Sequence, residues 1–390
     1  MPRGSVIVFG FALWVAACGR LGFDGVETPC RPVTELPSVF GVPIEGAPVL
    51  AGAAHGFALL WFEDDDGDPD TEPVLVFQQL DTEGRADSDV LTVARGAEYP
   101  SIAALLDGWA VAYADERDGA RGIYLRLVRD GAVGEERLVS DVGGDDLWMT
   151  ALAVGGHGLA VFYHDRHEVY ARLLTTGGEP LTEVVQLTDD PYIYDPPVAA
   201  AGVGFFGVAW ADERGDEDVM FGLLSADGRK VPPATVAGAA GGSQDVSICY
   251  AGDGFDLAWL DWREGNNRRM LMASVGADAR LKDGPYVVPF GNRPSGARMM
   301  RLDQDTRGLA WIDDDGQLWL GVVDRQGVAL GSEIVLSEAS GRVGSFALAQ
   351  SGALYLAATA QQRYDFDGDG SWTLGPAELG LRCFRCAQSP

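Results

Sequence analysis

The sequence has 390 residues, of which 47% are hydrophobic, and its 58 acidic and 29 basic side chains give a net charge of −29. A chain of this length and apolar content can bury a large core. The acidic excess repels nucleic acid and anionic lipid headgroups, so it argues against both as direct partners. The acids are spread along the chain in short clusters, as on a solvated surface.

The chain begins with the features of an export signal. Arg3 supplies a positive charge, and the apolar run SVIVFGFALWVAA follows and ends at Cys18. This run is too short to span a bilayer as a stable helix, and it fits the apolar core of a secretory signal. We therefore expect residues 1–17 to be a signal peptide.

The end of this run, Val15-Ala16-Ala17-Cys18, resembles the lipobox of bacterial lipoproteins. The resemblance implies cleavage before Cys18 and acylation of that cysteine, which would anchor the protein through lipid alone. An ordinary signal peptide cleaved nearby is the alternative. Gly19, rather than Asp, follows the cysteine, and by analogy with lipoprotein sorting this favours the outer membrane. We expect an exported protein that is anchored to the bacterial cell envelope.

A short phrase, an aromatic residue followed two positions later by an acid, recurs along the chain. Successive acids are spaced by about 50 residues, a period typical of repeat architectures. A seventh unit follows in GALYLAATAQQ, where Ala357 and Thr359 replace the aromatic and the acid. The six clear copies are LWFEDDDG from Leu60, AYADERDG from Ala112, FYHDRHE from Phe162, AWADERGDED from Ala209, AWLDWREG from Ala258 and AWIDDDG from Ala310.

Each unit has the pattern of four short strands. In residues 100–141, the turn signal Asp107-Gly108 separates two apolar runs, and a polar loop then leads to a third run, the turn Asp130-Gly131 and a more polar fourth run. Asp-Gly between apolar runs is a hairpin signal. The first two runs are nearly continuous hydrophobics, which predicts strands buried on both faces. The polar fourth run predicts an outer edge strand.

Seven such units predict an all-β fold, a seven-bladed β-propeller of four-stranded antiparallel blades over residues 45–390. A pair of β-sandwich domains is the alternative, but it does not predict equal spacing. The phrase resembles the tryptophan-x-Asp-x-Arg repeats of exported bacterial propeller proteins, many of which are lipoproteins, and the resemblance covers about residues 45–360. The first and sixth units lack the Arg.

The repeat residues are predicted to be structural. The large rings fit between neighbouring blades, each acid can accept backbone N–H bonds of the turn that it opens, and the Arg can pair with that acid or with the next blade. The alternative is a functional ring of Asp and Arg around the channel mouth. The repeat residues are Trp61, Glu63, Tyr113, Asp115, Arg117, Tyr163, Asp165, Trp210, Asp212, Arg214, Trp259, Asp261, Arg263, Trp311 and Asp313.

Two Asp-rich loops are candidates for binding calcium. Asp365, Asp367 and Asp369 alternate before a glycine, as in the first half of an EF-hand loop. The bidentate Glu of an EF-hand is absent, because Pro376 occupies the twelfth position. Solvated acidic turns are the alternative for both loops. The second and less regular loop contains Asp64, Asp66 and Asp68.

Export into an oxidising compartment favours disulfides among the other cysteines. We expect residues 18–44 to contain the lipidated cysteine, a linker and a strand that completes the last blade. That strand would bring Cys30 close to Cys383 or Cys386, and either pairing closes the ring. Cys249 lies in the first strand of the fifth unit and is expected to stay a buried free thiol.

The sequence contains no recognisable catalytic constellation. Three histidines, His157, His164 and His167, lie in one unit, but the acid between them is a repeat position. The Ser-x-Asp-x-Gly-x-Thr-Trp box of sialidases is missing. We therefore predict a lipid-anchored envelope propeller that acts as a protein- or glycan-binding scaffold. The rival hypothesis is a glycoside hydrolase or polysaccharide lyase, since propellers host both activities and the fold alone does not separate them.

Overall fold

The computed structural model describes most of the chain from Cys30 to Cys386. The described residues are 30–33, 39–63, 72–117, 119–142, 147–165, 167–189, 193, 195–212, 218–238, 242–264, 267–291, 293–337, 341–366 and 372–386.

The described residues form seven antiparallel sheets, in which the strands follow one another in chain order from the centre outward. Blade 1 contains β3 (Glu45–Ala53), β4 (Gly56–Glu63), β5 (Val74–Leu80) and β6 (Leu91–Arg95). Blade 2 contains β7 (Glu98–Leu105), β8 (Gly108–Arg117), β9 (Ala120–Arg129) and the outer pieces β10 (Ala132–Val133) and β11 (Arg137–Ser140). Blade 3 contains β12 (Trp148–Gly155), β13 (Gly158–His164), β14 (Val169–Leu174) and β15 (Val185–Gln186).

The next three blades repeat this order. Blade 4 contains β16 (Val198–Ala201), β17 (Phe205–Asp212), β18 (Asp218–Ser225) and β19 (Lys230–Ala237). Blade 5 contains β20 (Ser243–Tyr250), β21 (Gly254–Glu264), β22 (Asn267–Gly276) and β23 (Leu281–Val287). Blade 6 contains β24 (Ser295–Arg301), β25 (Thr306–Ile312), β26 (Leu318–Asp324) and β27 (Ile334–Val335).

Blade 7 joins the two ends of the described chain. Its inner strands are β28 (Gly341–Ser351), β29 (Leu354–Phe366) and β30 (Trp372–Cys386), and two N-terminal pieces, β1 (Cys30–Pro32) and β2 (Val39–Pro43), both pair with β30. A disulfide joins Cys30 to Cys386, which are partners in the strand register. The predicted seven-bladed propeller and its closure by the N-terminal segment are confirmed.

The second strand of each blade is the most deeply buried, because it has sheet neighbours on both sides and other blades on both faces. In β13 every residue is buried, and in β8 the first eight residues are. The expectation that the first strands are equally buried is wrong. Every residue of β16 is only half-buried, because first strands of neighbouring blades contact one another around the axis and keep one face toward the channel.

Close approach at the axis explains the small residues of the first strands. A Cβ atom added at Gly52 would lie 2.0 Å from the backbone oxygen of Gln350 in the neighbouring blade. Ala199, Ala200 and Ala201 form most of β16. Larger side chains at these positions would force the blades apart.

The propeller has two faces. On the motif face, the second strands of blades 1 to 6 end at or near the repeat acid, as β4 ends at Glu63 and β17 ends at Asp212. On the hairpin face, at the opposite end, the first strand turns back into the second. The hairpin turns of blades 1 to 7 contain Ala54-His55, Leu106-Asp107, Gly156-His157, Gly202–Gly204, Gly252-Asp253, Asp303–Asp305 and Gly352-Ala353.

Candidate functional site

The aromatic side chains of the repeat pack between neighbouring blades. Trp210 of blade 4 belongs to one apolar cluster with Phe162 of blade 3, and Trp259 of blade 5 belongs to another with Phe221 of blade 4. Trp61, Tyr113, Tyr163 and Trp311 each pack in the same way against the preceding blade. These rings are buried, so they supply the core that holds the blades together.

Two acids of the repeat, Asp165 and Asp313, cap the turns that they open. The Oδ1 atom of Asp165 accepts hydrogen bonds from the backbone N–H groups of His167 at 3.0 Å and Glu168 at 2.7 Å. The Oδ1 atom of Asp313 accepts hydrogen bonds from the backbone N–H groups of Asp315 at 3.0 Å and Gln317 at 2.9 Å. Such bonds replace water on the turn amides and stabilise the loop locally.

In blade 2 the repeat arginine organises a small ionic network. Arg117 contacts Asp115 at 2.5 Å and also pairs with Glu136 from the segment between β10 and β11. The hydroxyl of Tyr113 donates to the same Glu136 carboxylate at 2.5 Å. Mainly because Arg117 hydrogen-bonds to it, the pKa of Glu136 falls from its usual value to about 2. Burial and the bond to Glu136 raise the pKa of Tyr113.

The parent protein is expected to lose the stabilisation from Glu136 as the pH falls from about 4.5 to about 2. A lowered carboxylate pKa stabilises the fold above the unfolded-state value, and the contribution disappears once the folded carboxylate is protonated. Because Arg117 is partly solvent-exposed, we expect the ionised Glu136 to contribute about 1–2 kcal/mol to the free energy of unfolding. Urea unfolding of the parent and of Glu136→Gln should differ at pH 7 and converge near pH 2. Glu135→Gln, at the exposed neighbouring acid, should show no such pH-dependent difference.

Several predicted site residues fall outside the described residues. These are Cys18, Asp64, Asp66, Asp68, Arg214, Asp367 and Asp369. Asp365 lies in β29 opposite Thr373, and Arg263 lies in β21. Within the described ranges, no three His, Cys, Asp or Glu side chains are placed to hold a metal ion. The calcium assignment stays a prediction.

The three histidines of blade 3 do not form a cluster. His157 lies in the turn on the hairpin face, whereas His164 ends β13 on the motif face. His164 is buried, and His167 is exposed in the loop that follows. The separation of His157 from the other two across the sheet argues against a site built from all three histidines.

Strand alternation decides the cysteine pairing. Cys383 and Cys386 are three residues apart in β30, and an odd spacing places side chains on opposite faces of a strand. Cys386 joins the cluster between blades 6 and 7, and Cys383 joins the cluster between blades 7 and 1. Cys383 and Cys249 are free thiols, and burial raises the pKa of each to about 12. Cys383 is buried, but the side chain of Cys249 is only half-buried, so the expectation of a buried thiol at Cys249 is wrong. A C-x-x-C redox pair is therefore excluded by the strand geometry.

A cleft that the sequence did not predict lies on the motif face of blade 6, and we call it the tryptophan cleft. It has a volume of about 290 Å³ and is lined by Trp311, Trp319, Asp313–Asp315, Glu333 and Gly291. Trp319 lies opposite Trp311 in the register of β25 and β26, and its indole N–H donates to Asp313 at 2.7 Å. That bond holds the half-exposed ring beside exposed carboxylates.

A second cleft, the glutamate cleft, lies on the same face between blades 1 and 2. Its volume is about 440 Å³, and three of its lining residues are glutamates. Glu98 pairs with Arg121 at 2.5 Å. The lining residues are Glu72, Pro73, Gly96, Ala97, Glu98, Glu116 and Gly119. Both clefts combine a repeat loop with the segment that links two blades, so neither is visible as one stretch of sequence.

Solved structures share this propeller fold at low sequence identity. The polysaccharide lyase Uly1 has a TM-score of 0.56 and 8% identity, over 87% of this chain and 90% of that chain. The subtype N11 neuraminidase-like protein of A/flat-faced bat/Peru/033/2010 (H18N11) has a TM-score of 0.52 and 10% identity, over 93% and 95%. At such identities the likeness shows the fold alone.

The comparisons by sequence give no family. No protein-family model matches the chain, and no curated protein is significantly similar to it. In the part of the chain that the structure describes, no helix has the length and apolarity needed to cross a membrane. The class defined by the structure is a seven-bladed β-propeller with two acidic clefts on its motif face.

Proposed function

We propose that this chain is a lipid-anchored envelope scaffold that binds a glycan or protein partner on its motif face. The observation that carries the proposal is the position of the two clefts. Both lie on the motif face, one beside the loop that Asp313 caps and the other beside the Arg117–Asp115 pair. Binding sites are commonly built on loops that a rigid scaffold positions.

The chemistry of the tryptophan cleft favours a neutral or basic ligand. The Trp319 ring offers a flat apolar surface, and the exposed Asp314 and Asp315 offer hydrogen-bond acceptors. A sugar presents an apolar face and hydroxyl donors, and a lysine or arginine side chain presents a cation that suits both the ring and the acids. The net charge of −29 disfavours polyanionic ligands.

Removing the cleft acids is expected to weaken ligand binding at least tenfold. The variant is Asp314→Asn with Asp315→Asn, which keeps side-chain size and removes two negative charges. Affinity is measured by calorimetry for ligands selected with the parent on an array of neutral glycans and basic peptides. Asp227→Asn, at an exposed acid on the hairpin face, is the matched control and should bind like the parent. Unchanged affinity in the double variant would mean that the ligand does not bind in this cleft.

The alternative function is a glycoside hydrolase or polysaccharide lyase. One observation favours it: Glu333 and the three aspartates place several carboxylates around a single cleft, and glycoside hydrolysis uses a pair of carboxyl groups. A screen of polysaccharides with the parent and Glu333→Gln tests this reading. If the parent cleaves a polysaccharide and Glu333→Gln does not, the scaffold hypothesis is wrong and the protein is an enzyme.

A further inference from the structure

The Trp311 side chain carries a hydrogen-bond donor that borders the tryptophan cleft. Trp311 is only 1% exposed, and Phe290 stacks on its ring, with the centroids 5.5 Å apart and an interplanar angle of 9°. Gly291 follows Phe290, and a Cβ atom built there would lie 2.9 Å from the indole nitrogen Nε1 of Trp311. Because Gly291 has no side chain and both residues line the cleft, the indole N–H of Trp311 faces open space.

The indole N–H of Trp311 makes no hydrogen bond within the described residues. The N–H groups of Trp210 and Trp259, at the same repeat position in blades 4 and 5, make none either, but those atoms are sealed inside the protein. Nearly all polar groups in protein interiors are paired, because an unpaired donor costs free energy. A ligand atom that accepts from Trp311 would therefore form a bond that no protein group provides.

The second tryptophan of the cleft has its N–H already occupied. In blade 1 the repeat ring Trp61 donates to the repeat acid Glu63 at 2.9 Å. In blade 6 the repeat acid Asp313 accepts instead from Trp319, at 2.7 Å. This bond fixes the half-exposed Trp319 ring and leaves only its apolar surface to contact a ligand.

The charged side chains that line the cleft offer acceptors. The carboxylates of Asp314, Asp315 and Glu333 belong to its lining, and an ionised carboxylate has lone pairs but no proton to donate. Arg293 lies 3.5 Å from Asp314 and offsets part of the negative charge there. A ligand that matches the cleft must therefore donate hydrogen bonds to carboxylates and also accept one from Trp311.

Three classes of ligand group meet these requirements to different degrees. An ammonium or guanidinium group has donors only, so a lysine or arginine side chain would leave the Trp311 N–H unpaired. A carboxylate or sulfate group has acceptors only, and the cleft acids repel it. A sugar hydroxyl both donates and accepts, and the C–H face of a sugar ring can pack on an indole. The cleft volume of about 290 Å³ is at the lower end for ligand sites, which suits a single ring.

We infer that the tryptophan cleft binds one neutral sugar ring of a glycan. The ring stacks on Trp319, its hydroxyl groups donate to the cleft carboxylates, and one of its oxygen atoms accepts from the indole N–H of Trp311. The inference rests on the proposed function, because it names the ligand class of the same motif-face site. It narrows the ligands of this cleft from neutral or basic molecules to neutral sugars.

The test follows the indole N–H signals of the full chain by nuclear magnetic resonance, with isotope-labelled tryptophan. The probes are the methyl glycosides of glucose, galactose, mannose and N-acetylglucosamine, with glucuronic acid and N-acetyl-lysine methylamide as charged comparisons. The Trp311 signal is assigned from its nuclear Overhauser contacts with Phe290, which stacks on the ring. Trp259 is the internal control, because its unpaired N–H has the same repeat position but is sealed inside the protein.

We expect at least one neutral glycoside to move the Trp311 indole proton downfield and to slow its exchange with water at least twofold. The reason is that a sugar oxygen becomes the acceptor that this N–H lacks. The Trp319 signal should move as well, because the sugar ring covers the indole, and the Trp259 signal should stay unchanged. The two charged comparisons should leave the Trp311 signal in place.

Two matched substitutions separate the donor from the packing of the ring. Trp311→Phe removes the N–H and keeps an aromatic ring, and Trp259→Phe makes the same change between blades 4 and 5. Titration with the glycoside that binds the parent best should show at least fivefold weaker binding for Trp311→Phe and parental affinity for Trp259→Phe. Thermal melting checks that both variants fold. If Trp311→Phe does not fold, the spectra of the parent still decide the result.

Failure of this inference and failure of the proposed function give different results. If N-acetyl-lysine methylamide moves the Trp319 signal and no neutral glycoside does, the cleft binds a basic partner, so the sugar inference is wrong and the scaffold function stands. If a glycoside binds without moving the Trp311 signal, the sugar site lies elsewhere and the inference is also wrong. If no probe moves a signal of the cleft, the inference is wrong, and ligands from the array of glycans and peptides decide whether the scaffold function survives.

Discussion

Replacing Cys30 with Ser is expected to lower the free energy of unfolding by about 5 kcal/mol. The disulfide joins residues separated by 356 positions, so it restricts almost the whole unfolded chain, and loop-closure entropy grows with the length that is closed. It also holds β1 against the edge of β30. Without it, the outer edge of blade 7 can detach and leave a strand edge open to aggregation.

This effect is measured by urea unfolding that is monitored by tryptophan fluorescence. The parent and both serine variants are compared in oxidising and in reducing buffer. Cys383→Ser is the matched control, because it removes a buried cysteine three positions from Cys386 that makes no disulfide. Reducing agent should destabilise the parent and Cys383→Ser, and should leave Cys30→Ser unchanged. Equal destabilisation of the two serine variants would contradict a special role for the Cys30–Cys386 bridge.

Replacing Arg307 with Met is expected to cost about 3–5 kcal/mol of stability. Arg307 of blade 6 and Asp256 of blade 5 are both fully buried, and their side chains are 2.6 Å apart. The Asp256 carboxylate also accepts from Ser274 at 2.6 Å and meets Arg325 at 3.3 Å. Removing Arg307 leaves a buried negative charge with incomplete compensation, which explains the large expected effect.

A double-mutant cycle tests this explanation. Arg307→Met with Asp256→Leu removes both charges, and it should recover at least half of the loss caused by Arg307→Met alone. Arg325→Met is the control, because Arg325 contacts the same carboxylate from a site that is 20% exposed, and it should cost about 1 kcal/mol. If the double variant is less stable than Arg307→Met, the buried charge is not the cause of the loss.

Interactions between residues close in sequence could be predicted with some accuracy. The turn-capping acids Asp165 and Asp313 bond to amides two to four residues away. Such contacts depend on local backbone geometry, so they are visible in a single repeat unit. The packing of the Trp210 ring against the preceding blade was also expected, because one period of about 50 residues sets the position of each neighbouring blade.

Apart from the approach of Cys30 to Cys383 or Cys386 and the packing set by the repeat, interactions between distant residues could not be predicted. The tryptophan cleft needs Trp319 beside Asp313, and it also needs Gly291 and Glu333 from the segments before and after. The Arg307–Asp256 pair joins two blades and has no counterpart in the repeat phrase. The half-buried first strands were missed because an apolar run shows that a strand can be buried, but does not show which of its faces another blade covers.

The sequence by itself determined the seven-bladed architecture, because hydrophobic runs and turn signals act locally. Their equal spacing predicts the same four-stranded blade seven times. Only the tertiary structure decided which cysteine closes the ring. Both Cys383 and Cys386 lie near Cys30, and the register of β1 against β30 sets Cys30 opposite Cys386. The tertiary structure also decided where the clefts lie, because each cleft is assembled from loops that come together only when neighbouring blades pack.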